Sequence, residues 1–178
     1  MQEFVTHSYE ETLQMAADFA KTVKKGTVIG FIGGLGMGKT AFALNLATYV
    51  TTHSDSTVAV FNLEMGASQL ANRIISSLGQ IEGYKMRTGK LLNQDWKRFN
   101  EATTQLSKAK LYIDDTPGIT IGEIRAKCRR LASSTDGLNL VIIDYLQLIS
   151  GGKNYGSNRQ QEVADISRSL KTLAMELH

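Results

Sequence analysis

Four short apolar runs rich in branched side chains punctuate the chain: 26–32 (GTVIGFI), 57–63 (TVAVFNL), 110–113 (KLYI) and 139–145 (NLVIIDY). Between them lie longer segments in which apolar residues recur every three or four positions. Short continuous apolar strands alternating with helix-length segments are the pattern of a parallel sheet buried on both sides. The expected fold class is therefore α/β, with helices packed on both faces of a mainly parallel sheet.

The helical segments carry their own start and stop signals. Ser8 with Glu11 three positions later forms a capping box, Leu13, Ala16, Ala17 and Ala20 then share one face, and Gly26 is the expected stop. Thr120 with Glu123 opens a second such helix, which buries Ile124, Cys128 and Leu131 and spreads Arg125, Lys127, Arg129 and Arg130 over its other positions. A solvated face is the leading reading of that basic cluster, ahead of a binding site. The segment GASQLANRIISSLG is helical through Leu70, Ile74, Ile75 and Leu78, and a later helix places Trp96, Phe99 and Leu106 at expected core positions. From Arg159 onward, Val163, Ile166, Leu170, Leu173 and Leu177 fall at spacings of three and four, an amphipathic helix. The one long Gly-rich loop, SGGKNYGSN at 150–158, is expected to be mobile.

Composition narrows the setting without deciding the function. With 178 residues and 42% hydrophobic content, the chain suits a single domain, 1–178. A formal charge of +3 permits a polyanionic partner without demanding one. One cysteine, Cys128, and three scattered histidines, His7, His53 and His178, give no internal disulfide and no metal-ligand spacing, so a reducing, cytoplasmic setting is expected. No apolar run approaches the roughly 18 residues of a membrane span, and the N-terminus is acidic where a secretory signal is basic and then apolar.

The chemistry begins directly after the first apolar run. Gly33-Gly34-Leu35-Gly36-Met37-Gly38-Lys39-Thr40 satisfies the phosphate-loop pattern, two glycines separated by four residues and followed by Lys and Thr. It stands between a predicted strand and a predicted helix, where backbone N–H groups and the helix dipole gather on phosphate oxygens. Gly33, Gly36, Met37, Gly38, Lys39, Thr40 and Ala41 are the candidate nucleotide-binding residues. Lys39 would reach the β- and γ-phosphates and the Thr40 hydroxyl would ligate magnesium, making ATP and Mg2+ the expected cofactors. A magnesium nucleotide also needs a carboxylate at the end of a neighbouring strand, and Asp144 supplies it at the end of LVIID. Glu64, at the end of the second apolar run, is the best candidate to orient the attacking water; by spacing alone, an ordinary surface carboxylate at a strand end is about as good a reading.

Five segments, GMGKTAFALNLA, NLEM, LYIDDTPGITIGEIRAKCRRL, VIIDYLQLIS and NRQQEVADISRSLKTLAMEL, together resemble the RecA-like motor domain of DnaB-type replicative DNA helicases in order and spacing. The resemblance covers about 39–178 and implies a motor that hydrolyses ATP to move along single-stranded DNA and unwind duplex, in a homo-hexameric ring with other replication partners. It gives Lys39 and Thr40 the Walker A role, Glu64 that of the catalytic glutamate, Asp144 that of the Walker B magnesium residue, and sets Lys153 and Arg159 in a loop facing DNA.

The first 38 residues resemble a different family. The order of an EET helix, a G-x-V strand and the GLGMGKT loop is similar to the start of TsaE, a small ATPase that assists threonylcarbamoyl modification of transfer RNA. An accessory ATPase of that kind, and a nucleotide-binding remnant without catalysis, are the alternative functions. The helicase pattern also continues beyond LKTLAMEL with a strand ending in a γ-phosphate-sensing glutamine, a second DNA loop and an arginine reaching the neighbouring nucleotide. Without that strand, expected between the Walker A and Walker B strands, the sheet should be left with two unpaired interior edges, and ring formation and catalysis should be weak.

Overall fold

The computed structural model describes residues 6–32, 38–149 and 159–177. Its four strands, β1 (Thr27–Gly30), β2 (Val58–Asn62), β3 (Leu111–Asp114) and β4 (Leu140–Asp144), form one parallel sheet in the order β1-β4-β2-β3. Around it lie α1 (Tyr9–Ala20), α2 (Lys39–His53), α3 (Ala67–Leu78), α4 (Gly83–Thr88), α5 (Asn93–Lys108), α6 (Ile121–Ser134) and α7 (Arg159–Leu177), with a 3-10 turn at Leu146–Leu148. The two interior strands, VAVFN and LVIID, are buried at every position, as expected of apolar parallel strands, and each ends in one buried polar residue; the outer strands are only partly covered. Period-two alternation divides the core. Val58, Val60, Leu140 and Ile142 face Ala16 of α1 and Ala43, Leu46, Ala47 and Val50 of α2. Ala59, Phe61, Val141 and Ile143 face Ile124 and Cys128 of α6 and Ile166, Leu170 and Leu173 of α7. A smaller cluster joins Leu44 to Leu70 and Ile74 of α3.

The expected gap between the Walker strands is absent. β1 pairs directly with β4, from Thr27 opposite Leu140 to Gly30 opposite Ile143, and β4 pairs with β2 on its other side. Unmade hydrogen bonds on two buried edges would each cost about 1–3 kcal/mol, and direct pairing satisfies them.

The Thr120 capping box forms in full, whereas at α1 the Ser8 half forms and the Glu11 carboxylate accepts the His7 N–H. Ser8 Oγ accepts from the Glu11 N–H, and Glu123 accepts from Thr120 while its own N–H donates back. Gly26 does not end α1, which stops at Ala20; with a φ of 76° it turns the chain into β1, a conformation glycine adopts without steric cost. Trp96 is not a core residue. The side chain that α5 turns inward there is Asp95, which accepts the Leu92 N–H and pairs with Lys85, so its successive neighbour is rotated outward by about 100° and lies 49% exposed, edge-on to Phe99. The polar stretch ahead of it holds α4, which lacks a buried residue to give it a helical period.

The basic face of α6 is not simply solvated. Arg125 and Arg129 both donate to the carboxylate of Glu176 on α7, and Lys127 pairs with Asp114 at the end of β3; Arg130 is left exposed. No helix of the described residues is long and apolar enough to cross a membrane.

Candidate active site

Because every strand runs the same way, the C-terminal ends of β1, β2 and β4 meet along one edge of the sheet. Asn62 lies opposite Asp144 there, one step beyond the Gly30–Ile143 pair. The backbone ladder continues past β1: the Phe31 N–H donates to the Ile143 carbonyl, and the Leu146 N–H to the Phe31 carbonyl. This ties the entrance of the phosphate loop to the segment following Asp144. Gly30 permits the fit, since a Cβ there would stand 2.7 Å from the Leu146 side chain.

On the far side of the loop, Gly38 has a φ of 72° and caps α2 with no side chain. The first turn of α2 thus presents its backbone N–H groups at the positive end of the helix dipole, suited to an anion. Thr40 follows, and its hydroxyl donates to Asp144 Oδ2 at 2.5 Å. The same oxygen accepts from Asn62 Nδ2 at 3.0 Å. Asp144 is fully buried, and its other oxygen, Oδ1, has no protein partner. A buried carboxylate oxygen left without a donor is costly, and a hydrated divalent cation would relieve it. The Thr40 hydroxyl and the Asp144 carboxylate are also the hard oxygen donors that magnesium takes. The residues present therefore fit magnesium.

The Lys39 ammonium lies 4.7 Å from the centroid of the Tyr145 ring, a cation–π contact that holds it at the same edge. Glu64, exposed, is the second residue after β2; its backbone N–H and that of Met65 both donate to Asn62 Oδ1, at 3.1 and 2.7 Å. Its side chain borders an open cleft of 1410 Å³ along α2, with Ala41, Leu44, Asn45 and Met65 among the other lining residues.

Lys39, Thr40 and Asp144 are thus brought together, and Glu64 stands one strand away. Gly33, Gly36, Met37 and Lys153 lie outside the described residues, as does the loop 150–158; Arg159 is the first residue of α7. Two residues at this edge were not singled out from the sequence. Asn62 could have been, as the one polar residue closing a run of buried apolar positions; Tyr145 carries no such signal.

A parallel sheet with the Gly38-Lys39-Thr40 helix start and the Asp144 strand end facing each other defines a RecA-like P-loop ATPase fold. The model of the DnaB-like helicase C-terminal domain matches residues 16–178, and the chain belongs to that family. It is 53% identical over 141 residues to the replicative DNA helicase DnaC of Bacillus subtilis, covering 79% of this chain and 31% of that one. Among solved structures, a DnaB-like replicative helicase studied for its interactions with primase superimposes with a TM-score of 0.79 at 32% identity, over 87% of this chain and 38% of that one. A second structure, solved as an ATPase domain, gives the same TM-score, 0.79, at 27% identity, over 97% of this chain and 69% of that one. The chain spans about a third of the length of the curated relative it matches. The family match begins at residue 16, ahead of the phosphate loop, and takes in β1 and the last turn of α1.

Proposed function

We propose that this chain is the nucleotide-binding part of a replicative helicase motor, which couples ATP hydrolysis to movement along single-stranded DNA. The observation that carries the reading is the contact between Thr40 and Asp144, which joins the start of α2 to the end of β4 across 104 positions of sequence. Lys39 would leave the face of Tyr145 to meet the β- and γ-phosphates, and the N–H groups at the start of α2 would hold phosphate oxygens. Thr40 and Asp144 would hold magnesium, which when bound neutralises charge on the phosphates. Glu64 would orient and deprotonate the attacking water from the adjoining strand end. The helicases to which the chain is similar act on DNA by name, and Lys153 and Arg159, in the stretch of sequence that follows β4, are the residues proposed to meet the DNA backbone. Assembly into a ring and work with other replication proteins belong to the same proposal.

Thermal unfolding with and without magnesium and a non-hydrolysable ATP analogue tests it. At about 100 times its dissociation constant the ligand should add about 2.7 kcal/mol of stability, and Lys39→Ala should abolish the shift. A transition indifferent to nucleotide, or a shift that survives Lys39→Ala, would refute the assignment.

A further inference from the structure

Asn62 is 1% exposed, and both ends of its amide are used. Nδ2 donates to the Asp144 oxygen that also takes the Thr40 hydrogen bond, while Oδ1 accepts the N–H groups of Glu64 and Met65. One side chain therefore joins the carboxylate at the end of β4 to the first residues of the turn that carries Glu64. Packing alone does not call for an amide here. The four residues before Asn62 in β2 are apolar, and an apolar side chain at the strand end would fill the same space. It would, however, leave Asp144 Oδ2 with one donor and two backbone N–H groups without an acceptor.

We infer that Asn62 is a positioning residue that fixes the Asp144 carboxylate for magnesium and sets the Glu64 turn in register with it. The inference rests on the proposed roles of Asp144 and Glu64. Asn62 would act through the orientation of Asp144 and of the turn that carries Glu64. A Thr40 hydroxyl holding magnesium through its oxygen lone pair would still have its O–H for Asp144 Oδ2, where the Asn62 amide is the second donor. The carboxylate then keeps its orientation, and any rotation it does make is passed through the amide to the Glu64 and Met65 N–H groups. Removing such an outer partner of a metal-holding carboxylate typically costs 10- to 100-fold in metal affinity or activity.

The test is binding of a fluorescent ADP to this chain, titrated with magnesium and repeated in EDTA, for the parent, Asn62→Ala and Asp144→Asn. In Asn62→Ala the half-saturating magnesium concentration should rise at least tenfold, while affinity in EDTA stays within twofold of the parent. A parent-like magnesium response, or an equal loss with and without magnesium, overturns the inference; the second result would mark a merely structural role. Asp144→Asn separates the layers. A lost response there beside a parent-like Asn62→Ala overturns the inference alone, whereas a parent-like Asp144→Asn overturns the Asp144 role and the inference with it. Should Asn62→Ala unfold, Asn62→Leu keeps the approximate shape without the N–H and adds no charge beside Asp144. A displacement of tenfold or more in its magnesium response supports the inference, and a parent-like response overturns it.

Discussion

The Thr40 hydroxyl donates to Asp144 Oδ2 at 2.5 Å, while Asp144 Oδ1, equally buried, has no protein partner. Stability and function pull apart at this carboxylate. Asp144→Asn removes a buried charge whose hydrogen bonding is incomplete, so the nucleotide-free chain should be as stable as the parent or more stable. The same change removes the charge that magnesium needs, so the stabilisation by magnesium and nucleotide should vanish. Parallel melting curves of the two proteins check both halves.

Glu64 lies at the site edge but takes no part in the Thr40–Asp144 contact, and only its backbone is held by Asn62. Glu64→Gln should therefore leave nucleotide affinity within about threefold while removing hydrolysis by about 100-fold or more, the usual scale of a lost general base. Binding and phosphate release measured on one preparation separate these effects. Undiminished hydrolysis would return Glu64 to the ordinary surface carboxylate that its spacing equally allows.

The contact between Gly30 and Leu146 predicts a coupled pair. A Cβ at position 30 would meet Leu146 Cδ1, Cδ2 and Cγ at 2.7, 2.8 and 2.9 Å, so Gly30→Ala should cost about 1–3 kcal/mol by overpacking. Leu146→Ala alone should also destabilise, because Leu146 is buried in the core. The double variant should be more stable than the sum of the two losses, since the new methyl occupies space that the leucine vacates. A urea double-mutant cycle with no coupling would show that the strand end relaxes independently of Leu146.

These sites show where sequence reading succeeded and where it stopped. The strands were legible because each is a short apolar run, buried at every position in β2 and β4, and Asp144 because it ends one of them. Trp96 was misplaced because periodicity counts apolar residues and gave no weight to Asp95, which turns inward to cap its helix and pair with Lys85. The gap expected between β1 and β4 came from the helicase pattern, because an apolar run marks a strand without naming its neighbours. The role of Arg125 and Arg129 depended on a carboxylate about 50 positions away, which no local pattern reveals.

That carboxylate supplies a pH test. The hydrogen bond from Arg129, helped by Arg125 and opposed by partial desolvation, holds Glu176 below the usual glutamate range. A folded-state pKa below the unfolded value, near 4.3, means that the stabilisation is complete above about pH 4.3 and is lost as pH falls through the folded value. Glu176→Gln should therefore lower the melting temperature at pH 7, leaving the two guanidinium groups without a counter-charge between α6 and α7. As pH falls through that lowered folded-state value the parent glutamate loses its charge, so the difference between parent and variant should shrink toward zero. Asp18, Asp95, Asp114 and Glu123 are also held low by their partners, so the parent's melting temperature will fall in acid for several reasons. Subtracting the variant's curve isolates Glu176. A difference that stays constant from pH 7 down to the acid limit of the folded state would mean that Glu176 contributes through packing alone, and that the α6–α7 contact owes nothing to its charge.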